Sequence, residues 1–175
     1  MKRFFALLFA AALLIAACGA DPAAPNTIRG GKTLSEAVET VRAEFCSRHA
    51  VEEMIAMPMP IDRAYLTDML GIPEEQIAET AGWISMSMTN ADAFFAVRAK
   101  EGQIQSVSQA LASHVRSLVA QYEVYPVADS LERAQAAKVL QKGDYAFLIA
   151  VGVGDGGDYD AQVQEVIDDV DALFS

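Results

Sequence analysis

Residues 145–151, Tyr145-Ala146-Phe147-Leu148-Ile149-Ala150-Val151, run through seven positions without a polar face. A short apolar run bounded by Lys142-Gly143-Asp144 and by Gly152 predicts a strand covered on both sides, at the centre of a sheet. Lys142-Gly143-Asp144 reads as a tight turn, so Lys138–Gln141 becomes the neighbouring strand. Further upstream, Ile84, Met86 and Met88 alternate with Ser85, Ser87 and Thr89, the period of a half-buried strand. Ala93–Ala99 is a second strand turned around Asn90-Ala91-Asp92. Four strands follow, in two pairs.

Pairing Met88 with Phe95 and Met86 with Val97 sorts the first hairpin into two faces. One holds Ile84, Met86, Met88, Phe95 and Val97; the other holds Trp83, Ser85, Ser87, Thr89, Phe94 and Arg98. A slip of one residue would mix Phe95 with the serines, so this register is favoured. A face bearing Trp83, Ser85, Ser87 and Arg98 has the composition of a recognition surface, with Trp83 as anchor and Arg98 as the group that orients a partner. The alternative is that a helix, Thr33–Met54, covers it.

Helical spacing fills the intervals. Leu34, Val38, Val41, Phe45 and Val51 mark a first helix capped by Thr33 or Ser35, broken at Met57-Pro58-Met59-Pro60. Asp62 caps a short helix, Arg63–Leu70, closed by Gly71, and Pro73-Glu74-Glu75 is a turn or a single helical turn. Ile104, Val107, Leu111, Val115, Leu118 and Tyr122 mark a long amphipathic helix. Tyr125-Pro126 ends it, and Val127–Gln135 is a helical connector. Gly152–Asp158 is a loop, and Val163, Val166, Ile167, Val170 and Leu173 define a terminal helix. The expected fold is α+β: strand-strand-helix twice, a four-stranded, mainly antiparallel sheet with packed helices.

The N-terminus is different in kind. Lys2 and Arg3 precede an apolar run, Phe4–Ala17, that stops at Leu14-Ile15-Ala16-Ala17-Cys18. As a helix this run reaches about 21 Å at roughly 1.5 Å per residue, short of the roughly 30 Å hydrocarbon core. It resembles a bacterial lipoprotein signal peptide and lipobox, which implies a diacylglyceryl group on Cys18 and cleavage before it. The competing reading is an ordinary secretory signal with Cys18 as a bystander. Gly19–Asn26 and Gly30-Gly31 read as a flexible tether. The organisation expected is therefore a signal peptide over 1–17, lipidated Cys18 and tether over 18–32, and one α+β domain over 33–175.

Charge narrows the partners. Without Lys2 and Arg3, 11 basic residues face 24 acidic ones, a net charge near −13. Such a chain is repelled by nucleic acid and by anionic head groups, so nucleic-acid binding is rejected and the acyl chains on Cys18 must hold the membrane. With Cys18 lipidated, Cys46 is alone and no intrachain disulfide is possible.

Catalytic chemistry finds little to work with. Cys46 and His49 stand at i, i+3, with His114 far along the chain; the enzyme alternative is an envelope hydrolase or thiol enzyme using Cys46 and a histidine. Two such ligands do not close a zinc site, and no metal or cofactor is expected. Gly152-Val153-Gly154-Asp155-Gly156-Gly157 lacks the Lys-Ser/Thr of a phosphate loop. Asp155, Asp158 and Asp160 lack calcium-loop spacing, and Asp158 or Asp160 is expected to cap the last helix. Ser87 and Ser113 lack a nucleophile-elbow context. Glu165, Asp168, Asp169 and Asp171 crowd the terminal helix, as a solvated face or one that meets a basic partner or cations.

Leu70-Gly71-Ile72, Met88-Thr89-Asn90-Ala91-Asp92, Val97-Arg98-Ala99-Lys100-Glu101-Gly102 and Ala137-Lys138-Val139 with Lys142-Gly143-Asp144-Tyr145 carry a resemblance over about Arg63–Phe174. They are similar to a family of uncharacterised small bacterial lipoproteins, mostly from low-GC Gram-positive bacteria, a domain of unknown function. Where that pattern leads one to expect an acid after Asp92, this chain has Ala93. The resemblance implies no catalytic residues. The expected function is a binding or accessory module, lipid-anchored on the outer face of the cytoplasmic membrane and meeting an envelope protein, rather than an enzyme.

Overall fold

The computed structural model describes residues 27–87 and 89–174; Cys18, the apolar run before it and Met88 lie outside the described residues. Five strands form one antiparallel sheet: β1 (Pro58–Pro60), β2 (Ile77–Ser85), β3 (Ala93–Ala99), β4 (Lys138–Lys142) and β5 (Tyr145–Ala150). Their order is β1-β2-β3-β5-β4, which puts β5 inside the sheet with every residue buried. The helices are α1 (Leu34–His49), α2 (Arg63–Asp68), α3 (Ile104–Val124), α4 (Ser130–Ala136) and α5 (Tyr159–Phe174).

The expected strand count of four is corrected to five. The extra strand is Pro58-Met59-Pro60, whose prolines read as a breaker. Ile61 N–H donates to the Gly82 carbonyl (2.9 Å) and Met86 N–H to the Met57 carbonyl (3.1 Å). Alternation then turns Pro58 and Pro60 toward the free edge, where a missing N–H costs no ladder bond. The two prolines also leave that edge without donors for a foreign strand.

The hairpin register is corrected as well. Trp83 pairs with Phe94 and Gly82 with Phe95, so β2 starts at Ile77 and ends at Ser85, before Met86. Phe95 thus faces position 82, six residues before the expected Met88. Six is even, so the two faces survive: Ile84, Phe95 and Val97 lie in one core cluster, Trp83 and Phe94 in the other. Gly82 explains the choice. Its φ is +124°, and a Cβ there would stand 2.3 Å from the Phe94 carbonyl oxygen and 2.4 Å from the Phe95 Cα. Only glycine permits so close an approach.

Each face has its own helices. α1 and α5 cover the face of Phe94, Phe147 and Ile149, burying Val38, Phe45, Val163 and Val166 against it. α2 and α3 cover the face of Phe95, Val97 and Leu148 through Leu66, Val107 and Leu111. α1 starts with a capping box in which Thr33 and Glu36 satisfy each other's backbone N–H, and ends at Ala50 in the left-handed region. α5 is capped by Asp158, which accepts from Ala161 N–H at 3.1 Å.

This arrangement gives the sheet two unlike ends. Tyr145, at the start of β5, meets Phe174 (ring centroids 5.4 Å), so the C-terminus of α5 and the N-terminus of α1 share one end. The segments 50–57, 86–87, 89–92, 125–129 and 151–158 gather at the other, beyond Ser85, Ala93, Lys138 and Ala150.

Candidate functional site

At that loop end, α4 carries Arg133 into the interior with 8% of its side chain exposed. Ala134 and Ala136 pack α4 down, and the capping position Asp129 holds the Arg133 Nε at 3.2 Å. Nη1 donates to both Asp92 oxygens (3.1 and 3.2 Å) and to the Gly152 carbonyl (2.6 Å). Nη2 donates to the Gly154 carbonyl (2.9 Å) and to the Tyr159 hydroxyl (3.3 Å). The guanidinium carbon lies 4.4 Å from the Tyr159 ring centroid, and Tyr159 is hydrogen-bonded to Asp129. A buried guanidinium requires such saturation, because each unmet N–H would cost a desolvation penalty.

The two carboxylates respond oppositely. Burial pushes the Asp92 carboxyl up, and Arg133 and Asn90 offset that only in part. Desolvation acts on Asp129 too, but hydrogen bonds from Arg133 and the Gly156 N–H hold it below its ordinary range. Over the pair opens a cleft of about 320 Å³, lined by Glu53–Ala56, Asn90, Asp92, Arg133 and Gly152–Asp155. Met57, which follows the lining residue Ala56, and Met86, whose N–H donates to the Met57 carbonyl, are exposed beside it. Met57 (φ 50°) and Ala128 (φ 48°) are held in the left-handed region. Non-glycine residues there store strain that often accompanies a functional loop.

The residues expected from sequence are dispersed differently. Trp83 is half-buried under α1, packed on the Phe45–Phe94 core, with the Arg42 guanidinium 5.6 Å from its ring centroid. α1 therefore covers the Trp83 part of the hairpin face. Arg98 is exposed, paired with Glu79 at 3.2 Å, and sits four residues along β3 from Trp83's partner Phe94, roughly 13 Å away. The Ser85 hydroxyl donates to the Ala56 carbonyl (2.8 Å), and the Ser87 N–H donates back to it (3.1 Å). These serines shape the loop that ends at Asp92.

Cys46 lies 4.0 Å from Arg42 Nη1, and burial pushes its thiol up, away from the thiolate a nucleophile needs. His49 turns instead to Glu165 (2.9 Å) and stacks on Phe45 (4.4 Å). His114 stands on α3, across the sheet from Cys46. Among the described residues no three His, Cys, Asp or Glu side chains are grouped to hold a metal ion. Three of the four clustered acids of α5 find basic partners within the chain: Glu165 and Asp169 meet Arg48, and Asp171 meets Lys142 at 2.8 Å, while Asp168 accepts from the Gln164 amide.

Fold and site together define an α+β protein that presents a loop-walled cleft at one end of a five-stranded antiparallel sheet. The family described as a domain of unknown function (DUF4358) matches residues 51–151, and the chain belongs to it. The matched segment holds all five strands, Asp92, Asp129 and Arg133, but neither α1 nor α5. No curated protein and no solved structure matches the sequence.

Proposed function

We propose that this protein is a lipoprotein tethered through Cys18 to the outer face of the cytoplasmic membrane, where it acts by binding rather than by catalysis. The observation that carries the reading is the opposition of the two ends. The chain enters α1 at one end of the sheet, and the cleft with its exposed Met57 and Met86 opens at the other. Ile28 is buried in the core beside Leu34 and Arg29–Gly31 forms a 3-10 turn, so the folded part begins before residue 33. A tether leading to Ile28 would then present the cleft outward to an envelope partner. The Arg133 network supports a binding role, since its ionisable groups are engaged with one another and with carbonyls.

The lipobox, the composition of the tether and the acidic balance support the address. Trp83, Ser85 and Ser87 fall to a supporting part in this reading, as residues that hold the cleft loop and the α1 roof, while Arg98 pairs with Glu79 toward the other end of the sheet. Metabolic labelling with an alkyne fatty acid tests the anchor: wild type takes up label and Cys18→Ser does not. Label retained by Cys18→Ser would contradict the lipoprotein reading.

A further inference from the structure

The cleft's chemistry narrows what it can hold, granted that it is the recognition site. Arg133 has five N–H groups, and all are engaged: Nε on Asp129, Nη1 on Asp92 and Gly152, Nη2 on Gly154 and Tyr159. An anion entering the cleft would have to break one of these bonds. The remaining ionisable lining groups are Glu53, Asp92 and Asp155, all acidic.

Asp92 has capacity to spare. A carboxylate offers about four acceptor sites. Both Asp92 oxygens draw on the single Nη1, whose other hydrogen goes to Gly152 at the shorter distance of 2.6 Å. The Asn90 side chain also bonds the carboxylate, which is 3% exposed and lies in the cleft lining, so its remaining acceptor site faces whatever fills the cleft. Met54 and Ile55, each 2% exposed, supply apolar wall beside it. A volume near 320 Å³ is at the small end of ligand cavities.

We propose that the cleft binds a small organic cation, a primary ammonium on a short apolar chain, with Asp92 accepting from the ammonium and Met54 and Ile55 flanking the chain. Arg133 is a positioning residue that fixes the Asp92 carboxylate and has no N–H left for a carboxylate ligand, which Glu53 and Asp155 would repel.

The test uses the detergent-solubilised full chain titrated with n-hexylammonium, with n-hexanol and n-hexanoate as isosteric neutral and anionic probes, followed by amide shifts of Gly152–Asp155. Hexylammonium should saturate, with hexanol and hexanoate at least about tenfold weaker, the equivalent of roughly 1.4 kcal/mol. Ala56→Trp, at an exposed lining position that leaves the Asp92–Arg133 pair intact, should weaken hexylammonium about tenfold without moving the melting temperature. Asp92→Asn should weaken hexylammonium likewise but also lower the melting temperature, because it leaves the buried Arg133 charge unpaired; if it does not fold, Ala56→Trp decides. Equal binding of hexanol or hexanoate, absence of saturation, or indifference to Ala56→Trp would overturn the proposal. Partner capture through the rim without ammonium binding would overturn the ligand class alone and leave the rim as the recognition site.

Discussion

Arg133 and Asp92 stand 41 residues apart in sequence, yet their side chains meet at 3.1 Å with 8% and 3% exposed, tying α4 to the start of β3. Removing one partner of a buried pair leaves the other charge unpaired, at about 3–5 kcal/mol. Arg133→Met also strands the Gly152 carbonyl, so a loss of that order is expected in urea melts. A loss below about 1 kcal/mol would show the pair to be solvated.

Gly82 and Gly154 separate crowding from conformation. Both have positive φ, but a Cβ on Gly154 meets nothing within 4 Å, whereas one on Gly82 overlaps β3. Gly154→Ala should cost about 1–2 kcal/mol from the left-handed backbone alone. Gly82→Ala should cost clearly more, through separation of β2 from β3. Equal losses in thermal melts would mean the β2–β3 register is different.

Phe147 and Tyr125 mark the extremes of burial, at 0% and 73% exposed. Phe147→Ala should cost about 3–5 kcal/mol, a large share of a stability near 5–15 kcal/mol. Tyr125→Ser should change stability by less than about 0.5 kcal/mol. Denaturation midpoints compare them directly.

His114 faces Tyr65 and Asp92 across a small cavity, and desolvation holds its imidazole below the ordinary histidine value. The unfolded chain therefore binds the proton more readily. Stability from this site is complete above about pH 6.5 and falls as the pH drops through that value. Between pH 7.5 and 5.5 the urea midpoint of wild type should fall further than that of His114→Gln. Parallel profiles would remove His114 as the cause.

Much of the architecture is legible where periodicity and punctuation agree. Tyr145–Val151 has no polar face, and Ile104–Tyr122 keeps helical spacing throughout, so both elements stand close to where the pattern puts them. Pro58 and Pro60 conceal β1, since a proline in a strand is tolerated only at an edge and sequence does not say which strand is the edge. β2 is obscured because Glu79, Thr80 and Gly82 break the apolar run, while Ile84, Met86 and Met88 alternate persuasively beside it. Pairing across β3, rather than local pattern, decides between them.

The site was less visible still. Arg133 lies in a short polar connector and reads as a surface charge; only the fold brings it to Asp92, Gly152 and Tyr159. Asp92 reads only as part of a turn and of the family resemblance. Glu165, Asp169 and Asp171 of α5 likewise meet basic partners in α1 and β4, at separations no local pattern encodes.

The central claim, binding at the loop end of a domain tethered from the other, is tested most directly by site-specific photo-crosslinking in intact cells. A benzophenone side chain at exposed Met57 is compared with one at exposed Ala172, near the chain's entry. A discrete adduct at position 57, absent at 172 and abolished by Ala56→Trp, is the predicted result. An adduct at 172 with none at 57 would contradict the account.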